Sequence, residues 1–341
     1  MQDPRDLNLI STQRKNMNVR NLAPAIAALA LASLAIATAV AQEYPNKPIR
    51  LLVPFTTGGG NDTLARIFGQ KFTEAWGQTV VVENRPGAGG TIATALAAHA
   101  NPDGYTLLIS SIATHAVGPN LYRDPGYDPI KDFSAISLLG IAPVVMGINL
   151  SIPAKSVQEF ITLAKAKPGN FKYGSGGNGS VMHTSAMVFS QVAGVQMLHV
   201  PYKGAGPAYI ALVGSEVDLC IDTTAALLPL VRSGRVRALA VARKTRMPEA
   251  PEIPTFAEAG LPAYEANGWY SMHAPAGTPA PIIAKLNAEI ARVMKQSDMQ
   301  ERFRQLGADG GGGPPEQLTA FVKSELAKYS KVIKDAGIKA E

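Results

Sequence analysis

Apolar and polar positions along this chain switch repeatedly between a strand-like and a helix-like period. An apolar run, Leu51 to Val53, ends at Pro54, and three glycines, Gly58 to Gly60, follow. Leu64, Ile67, Phe68, Phe72 and Ala75 then recur at intervals of three and four. The pattern predicts strand, glycine loop, helix, with Asn61 or Asp62 as the N-cap. Next come a strand over Thr79–Glu83, a turn at Asn84–Gly87, a helix of small residues over Thr91–Ala100, a turn at Asn101–Gly104 and a strand over Tyr105–Ser110. Strands alternating with helices imply a parallel sheet, and ligands of such sheets bind beyond the carboxyl ends of the strands. Here those ends are Phe55 to Asp62 and Ser110 to His115, both rich in neutral donors.

The same motif returns further along. Ser156 caps a predicted helix over Val157–Ala166, which Lys167-Pro168-Gly169 ends. A short strand, Phe171–Tyr173, leads into Gly174-Ser175-Gly176-Gly177-Asn178-Gly179-Ser180, and Met182, Met187, Val188, Phe189 and Val192 mark the next helix. Val217–Asp222 and Arg235–Ala242 read as strands, with a helix beginning near Ala225 between them. The chain crosses back near Trp269–Pro275, continues as a helix over Pro281–Lys295, breaks flexibly at Gly310–Gly313 and ends in a helix opened by Pro315. No element is assigned between His115 and Leu150.

Glycines at a helix start allow close backbone approach, and the helix end adds about half a positive charge, so an anion suits either loop. Packing alone is the competing role of the first loop. A P-loop would need Lys-Ser/Thr after Gly60, and a dinucleotide loop a third glycine where Thr63 stands. Ser180 has two readings, ligand contact and plain N-cap. Asp222 has three: partner of a ligand amine, holder of a water, or cap of the helix near Ala225.

Arg14, Lys15 and Arg20 precede an apolar segment, Leu22–Val40, and Ala39-Val40-Ala41 supplies a cleavage site before Gln42, whether translation starts at Met1 or Met17. Residues 1–41 are expected to be a signal peptide, and the mature chain soluble in the periplasm. Its loss removes Arg5, Arg14, Lys15, Arg20, Asp3 and Asp6, taking the formal charge from +6 to +4. No basic cluster supports nucleic-acid binding. Cys220, the sole cysteine, stands in an apolar run and is expected to be a buried small hydrophobe. His183 and His199 lack ligand-spaced carboxylates or thiols and read as structural. Gly-x-Ser-x-Gly, His-Glu-x-x-His and Cys-x-x-Cys are absent, and no enzyme is expected.

PFTTGGGNDTLAR, ENRPGAGGTIATALAAHANPDGYTLL, ATHAVGPNLY, YGSGGNGSVMHT, VPYKGAGPAYIALVGSEVD and the tail near PPEQLTAFVKSELAKYSKVIKDAGIK together resemble the Bug/TctC family, the extracytoplasmic solute-binding proteins of tripartite tricarboxylate transporters. The likeness runs from about Tyr44 to Lys339. One departure is Thr56-Thr57-Gly58-Gly59, where the family usually has Ala-Pro-Gly-Gly; losing the proline loosens the loop and adds a hydroxyl. The resemblance implies an α/β, two-lobed periplasmic-binding-protein ("Venus flytrap") fold, each lobe a mostly parallel sheet flanked by helices. Lobe 1 would comprise residues 42–149 plus 270–341 and lobe 2 residues 150–269, hinged near Gly147–Pro153 and Trp269–Pro275.

It implies a monomeric receptor without cofactor or metal, which captures a small carboxylate, best a dicarboxylate, between the lobes and delivers it to the membrane subunits of a tripartite transporter. Backbone N–H groups, hydroxyls and waters would hold the ligand, without an arginine. The expected contacts are Phe55, Thr57, Gly58, Gly59 and Asp62 in the first loop, Ser111 and His115 at the third strand end, Ser175, Asn178, Gly179 and Ser180 in the second loop, and Asp222 and Thr223. Phe55, and Trp269 or Tyr270 if they border the cleft, suit an aromatic carboxylate as well as an aliphatic one. A receptor that presents its ligand to a membrane sensor would share this pocket.

Overall fold

The computed structural model describes residues 44–58, 60–305 and 307–335; residues 1–41, expected to be a signal peptide, and Gly59 lie outside the described residues. The strands are β1 (Ile49–Val53), β2 (Val80–Asn84), β3 (Thr106–Ser111), β4 (Phe133–Ile148), β5 (Lys172–Ser175), β6 (Leu198–Pro201), β7 (Leu219–Thr223), β8 (Arg237–Val241), β9 (Asn267–Pro275) and β10 (Asp309–Gly312). The helices are α1 (Gly60–Trp76), α2 (Thr91–Ala98), α3 (Gly118–Leu121), α4 (Val157–Ala166), α5 (Val181–Ala193), α6 (Ala205–Val213), α7 (Thr224–Arg232), α8 (Ala280–Met294), α9 (Ser297–Gln305) and α10 (Pro315–Asp335).

The strands form two sheet halves joined through β4. One half runs β2-β1-β3-β9-β4-β10, and the other runs β8-β4-β7-β5-β6. The fold is two-lobed α/β, as expected, but strand directions are mixed. β1 is parallel to β2 and β3, whereas β9 runs antiparallel to β3 and β4, and β10 antiparallel to β4. In the second half β5 is parallel to β6 and β7, while β4 is antiparallel to both β7 and β8. Every antiparallel pair involves β4 or β9: β4 runs from the first half into the second, and β9 returns along it within the first half.

β4 is the longest strand and falls where the hydrophobic pattern assigns no element. Its first part pairs with β9 as far as Pro143, opposite Asn267; from Val144 it pairs with β7 and β8. Pro143, with no N–H to offer a ladder, stands where the partners change. The change precedes the Gly147–Pro153 crossing expected from sequence, and β9 begins its pairing at Asn267, before Trp269.

The Gly310–Gly313 break also proves ordered, since Asp309–Gly312 is a strand on β4. A Cβ on Gly311 would lie 2.3 Å from the Leu138 carbonyl oxygen, so only glycine permits this approach. Of the α1 stripe, Leu64, Phe68 and Phe72 are buried, while Ile67 is half-buried and Ala75 exposed. Leu51, Leu52 and Val53 are fully buried, as are Phe68 and Phe72 of α1; each such side chain contributes about 1.5–3 kcal/mol by leaving water. Ser156 caps α4 by accepting the Glu159 N–H at 3.2 Å. Cys220 is fully buried.

Candidate functional site

A cavity of about 440 Å³ opens where the two halves meet, bordered by Gly140, Ile141 and Ala142 of β4 and Tyr270 of β9. Gly58, Gly60, Thr63 and Leu64 line it from the first half. Val181, Ala205, Tyr209, Asp222, Thr223 and Ala225 line it from the second. Four of its lining segments are first turns of helices: Gly60 opens α1, Val181 opens α5, Ala205 opens α6, and Ala225 lies in the first turn of α7. Each helix start carries about half a positive charge. The N-caps of α6 and α7, Gly204 and Thr223, make no side-chain cap hydrogen bond. Among the described residues no Lys, Arg or His lines the cavity. Its electropositive character is therefore that of oriented backbone, which suits an anion of limited charge within apolar walls.

Among the described residues the one carboxyl side chain in the wall is that of Asp222, 7% exposed at the end of β7. Its Oδ1 accepts the Thr223 N–H at 2.6 Å, and its Oδ2 accepts the Tyr209 hydroxyl. Burial raises this carboxyl above its ordinary range, although both hydrogen bonds favour the ionised form. Asp222 does not cap α7, whose N-cap is Thr223. Tyr270 is pushed up to about 12 by burial and, secondarily, by Asp222. Its hydroxyl also dictates Gly60, where a Cβ would lie 2.2 Å from the phenolic oxygen.

Of the expected contacts, Gly58, Asp222 and Thr223 meet in the cavity wall. Phe55 and Thr57 stand outside it, with the Phe55 carbonyl held by Asn84 Nδ2 at 3.0 Å. Asp62 turns into its own loop, accepting the Gly58 N–H at 2.9 Å, Arg66 Nε at 3.0 Å and Asn84 Nδ2 at 3.0 Å. Burial alone would raise this carboxyl, but the bonds from Arg66, Gly58 and Asn84 outweigh it and hold it below its ordinary value. Ser111 and His115 are away from the cavity. His115 is wholly buried, 4.3 Å from the ring of His273 and 4.9 Å from that of Phe133, and burial followed by His273 lowers its pKa.

The second loop reaches the cavity only through Val181. Ser180 donates its N–H to the Gly177 carbonyl at 3.2 Å, and its hydroxyl accepts the His183 N–H at 3.3 Å, which is the capping role. Ser175 Oγ lies 2.6 Å from His199 Nε2, and the Gly179 N–H donates to His183 Nδ1 at 3.1 Å. Asn178 lines a different cavity, of about 610 Å³, with Tyr173, His183 and His199. His183 and His199 stack at 4.1 Å, a structural role; burial pushes His183 down to about 4 and also lowers His199.

Sequence reasoning missed Tyr209, the β4 segment, and Phe303 and Ala308. Tyr209 had a signal, since Gly204-Ala205-Gly206 is a third glycine-rich helix start; β4, Phe303 and Ala308 had none. Trp269 donates its indole N–H to Glu325 at 3.0 Å and is not in the wall, whereas Tyr270 is. The described residues hold no group of three or more His, Cys, Asp or Glu placed for a metal, and no helix long and apolar enough to cross a membrane.

Residues 64–338 match the model of the TctC family, described as tripartite tricarboxylate transporter family receptor. The chain belongs to this family. BugT of Bordetella pertussis is 36% identical over 325 residues, covering 95% of this chain and 99% of BugT. Among solved structures, Rpa4515 of R. palustris with adipate has a TM-score of 0.80 at 37% identity, covering 88% of this chain and all of that one. The periplasmic binding protein BugD has a TM-score of 0.77 at 35% identity, covering 87% and 100%. TctC proteins are solute-binding receptors and not enzymes.

Proposed function

We propose that this TctC receptor works in the periplasm, reached through the 1–41 leader, where it captures a small dicarboxylate between its halves as a monomer and delivers it to the membrane subunits of a tripartite transporter. The observation that carries the reading is the convergence of four helix starts on one cavity that no cationic side chain lines. A carboxylate there meets backbone donors from both halves. One carboxylate held by a few charge-assisted bonds gains about 1.5–3 kcal/mol from each, against an association cost of at least about 4 kcal/mol. A micromolar complex needs about 8 kcal/mol net, so donors from both halves are required. The lobes would be residues 42–149 with 270–341 and residues 150–269, turning where β4 changes partners at Pro143–Val144 and where β9 begins.

Adipate, found in the similar Rpa4515 structure, is the first ligand to test. A thermal-shift and calorimetric screen of the mature protein against aliphatic, hydroxylated and aromatic mono- and dicarboxylates checks the reading. Saturating dicarboxylate should raise apparent stability by several kcal/mol and shrink the radius of gyration. A screen in which no carboxylate shifts the melting point would end it.

A further inference from the structure

Asp222 is out of keeping with the rest of the cleft. A site built to attract an anion carries in its wall one acidic side chain, nearly all of it buried, on the same side as the starts of α6 and α7. An ionised Asp222 would repel an entering carboxylate. The groups facing it cannot relieve that repulsion. Tyr209 on α6, Tyr270 on β9 and Cys220 on β7 are all pushed toward their neutral forms. β4 places Val145 in register with Asp222, and α7 adds Ala225 to the wall. No cation lines the cavity among the described residues.

Resting on the carboxylate reading above, we propose that Asp222 is the proton-accepting group of the cleft: a bound carboxylate enters with one proton from solvent, which lodges on Asp222 Oδ2. The Asp222–Tyr209 contact provides for both states. With Asp222 ionised, the Tyr209 hydroxyl donates to Oδ2 and Thr223 N–H donates to Oδ1. With Oδ2 protonated, Oδ1 still accepts the Thr223 N–H while Oδ2–H donates to the Tyr209 oxygen. The Tyr209 proton is thereby freed to donate into the cavity that this side chain lines. The proton removes a negative charge from Asp222 and adds a donor toward the ligand, so capture is proton-linked through Asp222 as the specificity-determining residue. A like charge close by raises the pKa of a buried carboxyl further, which favours the protonated form once the anion is in place.

The test is calorimetric titration of the mature protein with adipate from pH 5 to pH 8, in buffers of different ionisation enthalpy. The wild type should take up close to one proton per adipate near neutral pH, and its affinity should fall by up to tenfold per pH unit on the alkaline side. Asp222→Asn, neutral at every pH, should take up none, lose the pH slope and bind more tightly than wild type at pH 8. Binding of adipate without proton uptake, uptake that survives in Asp222→Asn, or an affinity loss of tenfold or more in that variant would overturn the proposal. If neither protein binds adipate, the carboxylate reading fails for this ligand, and the carboxyl-carbon NMR titration of ligand-free wild type decides the Asp222 assignment. A midpoint above the usual aspartate value of about 3.9 supports it, and one at or below that value overturns it.

Discussion

In the first glycine loop the anchor is an ionised carboxylate: Asp62 gathers the Gly58 N–H, Arg66 and Asn84, and α1 then starts at the cavity. In the second loop the anchors are neutral imidazoles, His183 beneath Gly179 and His199 beneath Ser175, and Ser180 spends its donor and acceptor on capping α5. Both follow a strand and precede a helix, yet they are fastened by opposite chemistry. On the second half the helix starts in the cavity wall whose N-caps make no side-chain cap hydrogen bond belong to α6 and α7.

Acid separates the two loops, and this is the largest effect expected. His183 is held down to about 4 in the fold against an ordinary 6.5. The unfolded chain thus binds the proton first, and stability is lost as pH falls from about 6.5 to about 4. The loss is on the order of 3 kcal/mol. Asp62, held below 3.8, contributes stability that is present above that value and lost only as pH falls through its lower folded pKa. Melting at pH 7 and pH 4.5 should show this loss together with those of His115, His199 and His273, which burial also lowers, and His183→Gln should reduce the acid loss by its own share. An equal acid loss in that variant would refute the anchor role.

Next in size is Asp62→Ala, which should cost about 2 kcal/mol of stability, because it leaves the Gly58 N–H, Asn84 and Arg66 without the buried carboxylate they share. It should also weaken adipate binding, since Gly58 loses its fixed place in the cavity wall; unchanged affinity would separate this loop from the site. The smallest effect is that of Ser180→Ala. As a cap it should lower stability by about 1 kcal/mol and leave affinity nearly intact. A tenfold affinity loss at unchanged melting temperature would restore Ser180 to the ligand, the contact expected from sequence.

Periodicity and turn residues alone place β1 to β3, β5, β7 and most of the helices, because local spacing and capping create those elements. Ser156 is an example, a cap visible in the sequence and present in the structure. β4 stayed hidden because Val144–Ile148 is buried on both faces and so does not alternate, and because Gly140 and Pro143 speak against a strand. Its partners lie far away in sequence, at Asn267–Pro275, Leu219–Thr223 and Arg237–Val241.

Of the cavity wall, Gly58 of the first glycine loop and the strand-end Asp222 and Thr223 were legible, whereas the second glycine loop, equally legible, stands outside it. Which donors remain open was not legible, since Ser180 as cap and Ser180 as contact have the same sequence, and only the positions of Gly177 and His183 distinguish them. The sequence by itself determined the local units, the family likeness and the neutral, glycine-rich character of the loops, all properties of short range. Tertiary structure alone decided that β4 runs through both halves, that four helix starts share one cavity, and that Asp222 meets Tyr209 there. Those facts depend on pairings between distant segments, for which neighbouring residues carry no pattern.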